Sequence, residues 1–534
     1  MSPEIARRKK VAFQIAGTVL LALAMLALPG CAARPPALAH APAPMTPELQ
    51  ACTDWYEALD AEIDQAGVRD AGETRIAGFR HLRLDRFTAS HRDALRLHLS
   101  GTDPEDRADS LMRRLQELDL KARDIEIRNL NQPARAKIAA HSGVTADTLA
   151  MLQRTRDCAR RLGASDLASP QRMVALRERM EVPDDYVTPY RVLGLYPLTR
   201  LPFSAGVERF EVSRSLVFSR NDAPPVGSSR LRLSPPARPP PGVVTHQRLG
   251  EMLAPAAGDP LQVPAPSADD LEFLFAQFAP GFDIALASDD DRPGALVWRP
   301  SASNAASSTL EVDRATPAVY RQVGYTRHGT ASLLQLSYVL WFPARSAESN
   351  ARLDLLAGKL DGLVFRVTLA PDGSPVLYDT IHPCGCYHMF FPTPLARPKP
   401  APEPGIEWAF SPQSLPHIGP SDRLVIRVAA GTHYIDQVSV ERADSQRHYV
   451  WRDYDELRSL PDGSQTYRSV FGPDGFIVGT DRLEAWLFWP MGIPRAGAMR
   501  QSGRQPTAFV GRRHFDDADL IEKRFILDLK PAGR

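Results

Sequence analysis

Two histidines and two cysteines lie within residues 382–388, the part of the chain whose side chains are best suited to chemistry. The sequence there is His-Pro-Cys-Gly-Cys-Tyr-His, in a chain of 534 residues that has only five cysteines. His382, Cys384, Cys386 and His388 offer the imidazole and thiolate donors that zinc prefers in a tetrahedral site. The same two cysteines could form a small-ring disulfide, and strained disulfides are readily reduced.

Three interpretations of this cluster remain open: a static structural element, a metal site, and a redox or nucleophilic site. In a flat strand the four donors share one face but spread over about 20 Å, so binding one ion requires the backbone to turn at Pro383 and Gly385. A site with fewer of these donors and a distant histidine is geometrically easier, and His433 is a candidate for that position. The sequence specifies no cofactor, and zinc is the candidate metal. The spacing disfavours covalent haem attachment, which uses Cys-x-x-Cys-His.

The cluster falls at the end of a predicted strand. Residues 375–381 follow the turn sequence Pro371-Asp372-Gly373 and form the return strand of a hairpin. The residues after the cluster, Phe-Phe-Pro-Thr-Pro at 390–394, cannot continue a central strand. Alternating apolar and polar residues in several later runs predict an antiparallel sheet with one buried face. Because binding groups concentrate in loops at the ends of rigid sheets, we expect the cluster to mark the functional end of this sheet.

Composition divides the chain into a helical part and a β-rich part. A cap and a proline at Thr46-Pro47, followed by apolar residues at spacings of three and four, begin a mainly helical domain over residues 46–185. Six of the seven tryptophans lie beyond residue 290, in a β-rich, sandwich-like or barrel-like domain predicted over residues 268–534. Between them we predict a short strand-like segment, 186–223, and a Pro-rich linker or strap, 224–267. The predicted fold class is therefore α+β, with the strands mainly antiparallel.

Cys52 and Cys158 are predicted to form a disulfide. Both lie in segments with helical spacing, Cys52 on an apolar face and Cys158 in register with Met151 and Thr155. Antiparallel helices at the start and end of one domain would bring the two sulfurs together. In the chain-entropy model, closing a loop of about 105 residues stabilises the fold by up to about 4.7 kcal/mol.

Residues 1–30 have the features of an export signal. Four basic residues at positions 7–10 precede an apolar run over residues 11–28, and the run ends in Leu28-Pro29-Gly30-Cys31. This ending resembles the lipobox of bacterial lipoprotein precursors, which has leucine three residues before the cysteine and glycine directly before it. The resemblance implies that the Cys31 thiol is diacylated and that the chain is cut just before it. A transmembrane helix over residues 11–28 is the alternative.

The same resemblance implies a location. Alanine rather than aspartate after Cys31 implies sorting to the outer membrane, where the protein would face the periplasm on an Ala/Pro-rich tether, residues 31–45. Removal of residues 1–30, which carry four basic side chains and one acidic side chain, changes the net charge from +1 to −2. A chain of this charge lacks the basic surface that nucleic-acid binding requires, so the membrane is the predicted partner and nucleic acid is not.

Two functional hypotheses follow from the sequence. The first is an envelope-associated binding protein whose β-rich domain binds a protein or a small molecule. The second is a metal- or thiol-dependent enzyme centred on the cluster at residues 382–388. The chain lacks His-Glu-x-x-His, Gly-x-Ser-x-Gly and the phosphate-binding Gly-x-x-x-x-Gly-Lys-Ser/Thr, which weakens the common peptidase, hydrolase and nucleotide-binding hypotheses. The acidic run Asp289-Asp290-Asp291 lacks the spacing of an EF-hand, and we interpret it as a solvated turn.

Overall fold

The strands of this protein collect into open sheets, and helices cover them or extend from them. The computed structural model describes residues 46–95, 104–140, 143–220, 228–236, 244–301, 308–347, 354–419, 422–441, 445, 447–463 and 466–529. Contacts group the chain from Thr46 onward into one compact unit. The predicted α+β class is confirmed, and no sheet within the described ranges closes into a barrel.

The elements are numbered here in chain order. The α-helices are α1 (Pro47–Ala66), α2 (Arg86–Ala89), α3 (Pro104–Asn129), α4 (Gln132–Ala140), α5 (Thr148–Leu167), α6 (Pro170–Arg179), α7 (Thr188–Leu193), α8 (Tyr196–Arg220), α9 (His246–Met252), α10 (Ala268–Phe278), α11 (Ala485–Phe488) and α12 (Leu520–Arg524). Short 3-10 turns lie at Arg92–Leu95, Asp289–Asp291, Tyr454–Arg458 and Trp489–Met491.

The strands are numbered in the same way. They are β1 (Thr74–Ile76), β2 (Phe79–Leu84), β3 (Arg230–Leu233), β4 (Gly281–Ala285), β5 (Ala295–Pro300), β6 (Ser308–Asp313), β7 (Ala318–His328), β8 (Ala331–Arg345), β9 (Gly358–Leu369), β10 (Pro375–Ile381), β11 (Met389–Pro392), β12 (Ala396–Pro398), β13 (Arg423–Val428), β14 (Ile435–Glu441), β15 (Val450–Asp453), β16 (Leu460–Pro461), β17 (Tyr467–Arg468) and β18 (Phe525–Leu527).

The first helices are joined by the predicted disulfide. Helix α1 starts where the Thr46 hydroxyl accepts a hydrogen bond from the Leu49 N–H, and it ends at Gly67 in the left-handed region. Cys52 on α1 and Cys158 on α5 are bonded, with their Cα atoms 5.1 Å apart and 106 residues between them in sequence. Both cysteines are fully buried in the core that these helices share, so the prediction is confirmed.

The largest sheet carries the candidate site. Its strand order is β11-β10-β9-β8-β7-β15, and all neighbours are antiparallel except β15 and β7. Leu340 and Phe342 of β8 pack into one core, whereas Val339 and Trp341, which alternate with them along the strand, pack into another. The prediction of a single buried face is therefore wrong for this sheet. The second face is covered by β5, β6 and the segments after residue 454.

A second sheet, ordered β14-β13-β4-β3, packs against the same core as β8 and β9. Its edge strand β3 comes from the segment 224–267, predicted as a linker or strap, and so does helix α9. The four residues of β3 contain no proline, and β3 occupies an edge, so the prolines nearby do not interrupt the hydrogen bonding.

The strand-like prediction for residues 186–223 is wrong, because this segment forms helices α7 and α8. The inward residues of α8 recur at helical spacing, from Phe203 and Phe210 to the buried Arg214 and Phe218. Apolar residues on the outward side, such as Leu216, fill the positions between them. A helix that is apolar on both sides loses the 3.6-residue period, and its pattern then resembles a strand.

Within the described residues, no helix combines the length and the apolar content that a membrane span requires. The predicted signal, the tether and Cys31 lie outside the described residues. The lipid anchor therefore stays a prediction.

Candidate functional site

The cluster at residues 382–388 forms the hairpin loop between β10 and β11. The His382 N–H donates to the Cys386 carbonyl (3.0 Å), and the Gly385 N–H donates to the His382 carbonyl (2.8 Å). Gly385 (φ +96°) and Tyr387 (φ +61°) both lie in the left-handed region, which reverses the chain within a few residues. The prediction that a strand ends at this cluster is confirmed. The following strand, β11, is an edge strand, as its proline requires.

Two of the candidate histidines, His382 and His433, meet at one buried carboxylate. His382 Nδ1 lies 3.1 Å from Asp361 Oδ1, and His433 Nδ1 lies 2.8 Å from Asp361 Oδ2. Arg482 Nη2 is 3.5 Å from Asp361 Oδ1. Burial alone would raise the pKa of Asp361, but His382, His433 and Arg482 together hold this pKa well below its usual range. Asp361 is thus a carboxylate that fixes both imidazole rings.

The other side of His433 faces a second carboxylate. Its ring stacks on Phe342, with 3.9 Å between the centroids, and its Nε2 lies 3.4 Å from Asp291 Oδ1 without the alignment of a hydrogen bond. Burial opposes ionisation of Asp291, yet His433 and surrounding backbone N–H groups lower its pKa to about 2. The interpretation of residues 289–291 as a solvated turn is therefore wrong for Asp291, which is fully buried.

His388 pairs with a different buried carboxylate, Asp379 of β10. His388 Nε2 lies 3.0 Å from Asp379 Oδ2, and the Arg366 guanidinium donates to both carboxylate oxygens at 2.9 and 2.6 Å. Burial lowers the pKa of His388 to about 3, so the ring is neutral at pH 7 and its proton sits on Nε2, facing the carboxylate. His388 Nδ1 has no hydrogen-bond partner among the residues that the structure describes.

Cys384 and Cys386 are buried free thiols in this structure. The Cys386 N–H donates to Cys384 Sγ at 3.4 Å. The hydrogen bond between the two thiols, together with burial, raises the pKa of Cys386 well above its usual range. The thiolate form of cysteine is both the nucleophile and the metal ligand, so a buried neutral thiol is poorly suited to nucleophilic attack and to metal binding.

The structure does not bring the five candidate residues to one point. His382 and His433 share Asp361, whereas His388 binds Asp379. In the described part of the chain, no group of three or more His, Cys, Asp or Glu side chains is placed so that it could hold a metal ion. These polar groups instead cross-link β9 and β10 to the loops around them.

A cavity of about 540 Å³ lies beside the hairpin loop. The loop contributes Cys386, Tyr387 and His388 to its wall. Further wall residues come from α8, namely Pro202, Phe203, Gly206, Val207, Phe210 and Glu211. The loop and the helix are in direct contact, since the ring centroids of Phe210 and Tyr387 are 5.4 Å apart. Most of the wall is apolar and aromatic, and the volume is in the range of small-molecule sites.

Three carboxyl groups interrupt this apolar wall. Glu407 accepts hydrogen bonds from the backbone N–H groups of Phe509 (2.6 Å) and Val510 (2.9 Å). Burial raises the pKa of Glu211 and the pKa of Glu484 to about 7 each, and the charge of Glu407 adds to the shift of Glu211. The cavity therefore combines a large apolar surface with a few polar groups that can orient a ligand.

The sequence motif marks the hairpin loop but does not reveal the acids that fix it. Asp361 and Asp379 each stand alone in a strand that is buried on both sides. A buried charge is costly unless it is paired, so a lone acid within a strongly apolar run was the available signal that histidines lie nearby. Glu484 and Glu211 do not stand out in this way, because Glu484 lies in a segment without a regular strand pattern and Glu211 follows another acid, Glu208, in the segment predicted as strand-like.

No protein-family model, curated protein or solved structure matches this chain.

Proposed function

We propose that this protein is a lipid-anchored binding protein of the bacterial outer membrane, facing the periplasm, and that its cavity beside the hairpin loop takes an apolar ligand. The observation that supports this proposal is the cavity itself. Its volume of about 540 Å³ and its largely apolar wall match the sites that bind small molecules by excluding water. The left-handed backbone at Tyr387 directs the end of the loop toward α8, where Phe210 contacts the Tyr387 ring.

The rival hypothesis, a metal- or thiol-dependent enzyme, has less support. The two cysteines are buried and the pKa of Cys386 is raised, which keeps its thiol neutral. His382 and His388 are each bound to a buried carboxylate. The pKa of His388, which burial lowers to about 3, makes its ring a weak base at neutral pH.

Filling the cavity from α8 is expected to abolish ligand binding. Gly206 lies on the lining face of the helix, and a Cβ at this position would have no atom within 4 Å. The Gly206→Phe variant should therefore fold normally while its ring occupies the space of the ligand. Nile red, a neutral apolar dye, measures the effect by fluorescence titration of the mature chain carrying Cys31→Ser, and we expect at least tenfold weaker binding.

Gly206→Ala is the matched control. A methyl group leaves the cavity open and suits a helix interior better than glycine, by roughly 0.5–1 kcal/mol. This variant should bind the dye as the parent does. Saturable binding that survives Gly206→Phe would contradict this location of the site, and a parent protein that binds no apolar probe would contradict the proposed function.

An exposed apolar surface supports contact with the membrane. Helices α7, α8 and α11 all contact the turn Trp489–Met491, and their outward side chains include Trp486, which is 82% exposed. Others on this surface are Leu193, Leu195, Leu198, Leu201 and Leu487, each more than half exposed. Large contiguous apolar surfaces mark interaction sites, and Leu487 belongs to both this surface and the cavity wall.

Cys31→Ser is expected to release the protein from the membrane fraction, because serine offers no thiol for acylation. Cell fractionation followed by a carbonate wash measures this effect, and the wash removes proteins held only by surface contact. The neighbouring substitution Ala32→Ser keeps the cysteine and should leave the protein bound. A Cys31→Ser protein that resists the wash would show that residues 11–28 form a transmembrane helix instead.

A further inference from the structure

The cavity contains two carboxyl groups that the protein leaves without partners. Glu484 is 3% exposed and lines the cavity, yet its carboxyl group makes no hydrogen bond or ion pair within the described residues. Glu211, on the lining face of α8, is likewise unpartnered among these residues. Natural proteins satisfy the great majority of their buried polar groups. Glu484 is therefore a buried carboxyl group without a partner, and together with the half-exposed Glu211 it points to a ligand that pairs with it.

The cations near the cavity are engaged elsewhere. Arg513 donates to the Thr507 hydroxyl (2.8 Å), the Thr507 carbonyl (2.6 Å) and the Trp408 carbonyl (2.6 Å). Arg482 donates to the Leu360 carbonyl at 2.9 Å. Arg513 also lies 3.9 Å from a carboxylate oxygen of Glu407. It forms no ion pair with Glu211 or Glu484 within the described residues.

Arg345 is engaged in the same way. It lies 3.3 Å from the Thr432 carbonyl and 3.5 Å from the Tyr434 hydroxyl, and its guanidinium stands over the Tyr434 ring. Arginine is thus present around the cavity, but its donors are directed at carbonyl and hydroxyl oxygens. Arg482 and Arg345 offset part of the effect of burial on the pKa of Glu484, and Arg513 does so for Glu211, but none of these guanidinium groups forms an ion pair with either carboxyl group within the described residues.

Aromatic rings supply the remainder of a cation site. Phe210, Tyr387 and Tyr434 contact one another with ring centroids 4.6–5.7 Å apart, and Phe488 stacks on Phe509 at 4.6 Å. All five rings line the cavity. The faces of aromatic rings attract cations, and this attraction grows when the site excludes water.

We infer that the ligand of this cavity is a cationic amphiphile: an apolar body among the aromatic rings, with an ammonium group that binds Glu484 and Glu211. This inference rests on the proposed function and adds the chemical class of the ligand. An ammonium group donates up to three hydrogen bonds, and its charge favours the ionised, acceptor form of carboxyl groups whose pKa burial raises to about 7. An anionic amphiphile would gain no such pairing, because its negative charge repels the ionised form of both carboxyl groups.

Three straight-chain probes that differ only in charge test this inference. Dodecylamine, dodecanol and dodecanoate, each below its micellar concentration, are titrated against Nile red bound to the mature chain carrying Cys31→Ser. We expect dodecylamine to displace the dye at concentrations at least tenfold lower than dodecanol, with dodecanoate the weakest. Equal potency of the three probes, or dodecanoate as the strongest, would overturn the inference while leaving the proposed function intact. Absence of saturable dye binding would instead count against the proposed function.

Neutral variants locate the recognition. Glu484→Gln should lower the affinity for dodecylamine at least tenfold while changing that for dodecanol less than twofold. Glu211→Gln repeats the test at a half-exposed position on α8, where the substitution does not disturb a buried site. Glu208→Gln is the matched control, because this glutamate lies on the same helix but outside the cavity wall. Retention of the amine preference in both Glu484→Gln and Glu211→Gln would overturn the assignment.

Discussion

Replacement of Asp361 by alanine is expected to lower the free energy of unfolding by about 3–5 kcal/mol, because it removes the carboxylate from a buried charged cluster. Asp361 has no exposed surface, and it accepts hydrogen bonds from His382 and His433. Without it, two imidazole N–H groups lose their acceptor in a site that water does not reach. Arg482 also loses its nearest negative charge. Urea unfolding of the mature chain carrying Cys31→Ser measures the difference.

Asp361→Asn tests the charge of this side chain apart from its shape, and Asp289→Ala is the control at an exposed acid. Asp361→Asn keeps the volume and one acceptor oxygen, so one imidazole loses its partner and we expect a smaller loss, about 1–3 kcal/mol. Asp289→Ala removes only exposed ion pairs with Arg292 and Arg314 and should change stability by less than about 0.5 kcal/mol. A loss for Asp361→Ala no larger than that for Asp289→Ala would contradict the structural role of this carboxylate.

The buried carboxylates also indicate the role of the two histidines in the hairpin loop. The geometry favours the structural interpretation for His382 and His388, since each ring is held by a buried carboxylate. The hairpin loop contributes to the candidate site in another way, by bringing Cys386, Tyr387 and His388 to the wall of the cavity. The prediction that binding groups gather at this end of the sheet therefore agrees with the cavity, although the groups that meet the proposed ligand are mostly aromatic.

Some features of this fold were predictable because they depend on local rules. The bond between Cys52 and Cys158 followed from helical spacing, and the end of β10 followed from the turn residues and prolines around it. These signals act over a few residues and survive in the sequence. They located the hairpin loop and the first helical core.

Other features were not predictable because they depend on distant partners. Helix α8 has its cavity face at Phe203 and Phe210 and has exposed apolar residues elsewhere, such as Leu201 and Leu216, so its pattern resembles a strand until both surfaces are known. His433 was recognised as a candidate, but its partner Asp361 lies 72 residues earlier in the chain. The cavity itself requires segments near residues 206, 387 and 484 to meet, and no local pattern specifies that meeting.

Gly385→Ala is expected to disrupt the hairpin loop, with a loss of about 3 kcal/mol or more in the free energy of unfolding. Gly385 has φ +96°, and a Cβ at this position would lie 2.3 Å from the Pro506 carbonyl oxygen. Both segments are backbone, so neither can swing aside as a long side chain would. The loop must therefore move away from Pro506, which shifts Cys386 and Tyr387 in the cavity wall. Urea unfolding and Nile red titration should both report the change.

Gly479→Ala separates the two causes of this effect. Gly479 has φ +79°, but a Cβ there would have no atom within 4 Å, so alanine meets only the conformational penalty of about 1–2 kcal/mol. The excess loss in Gly385→Ala then measures the close approach of the loop to Pro506. Equal losses in the two variants would mean that the loop is not seated against Pro506. A Gly385→Ala protein that binds Nile red as tightly as Gly479→Ala would mean that the hairpin loop does not shape the cavity.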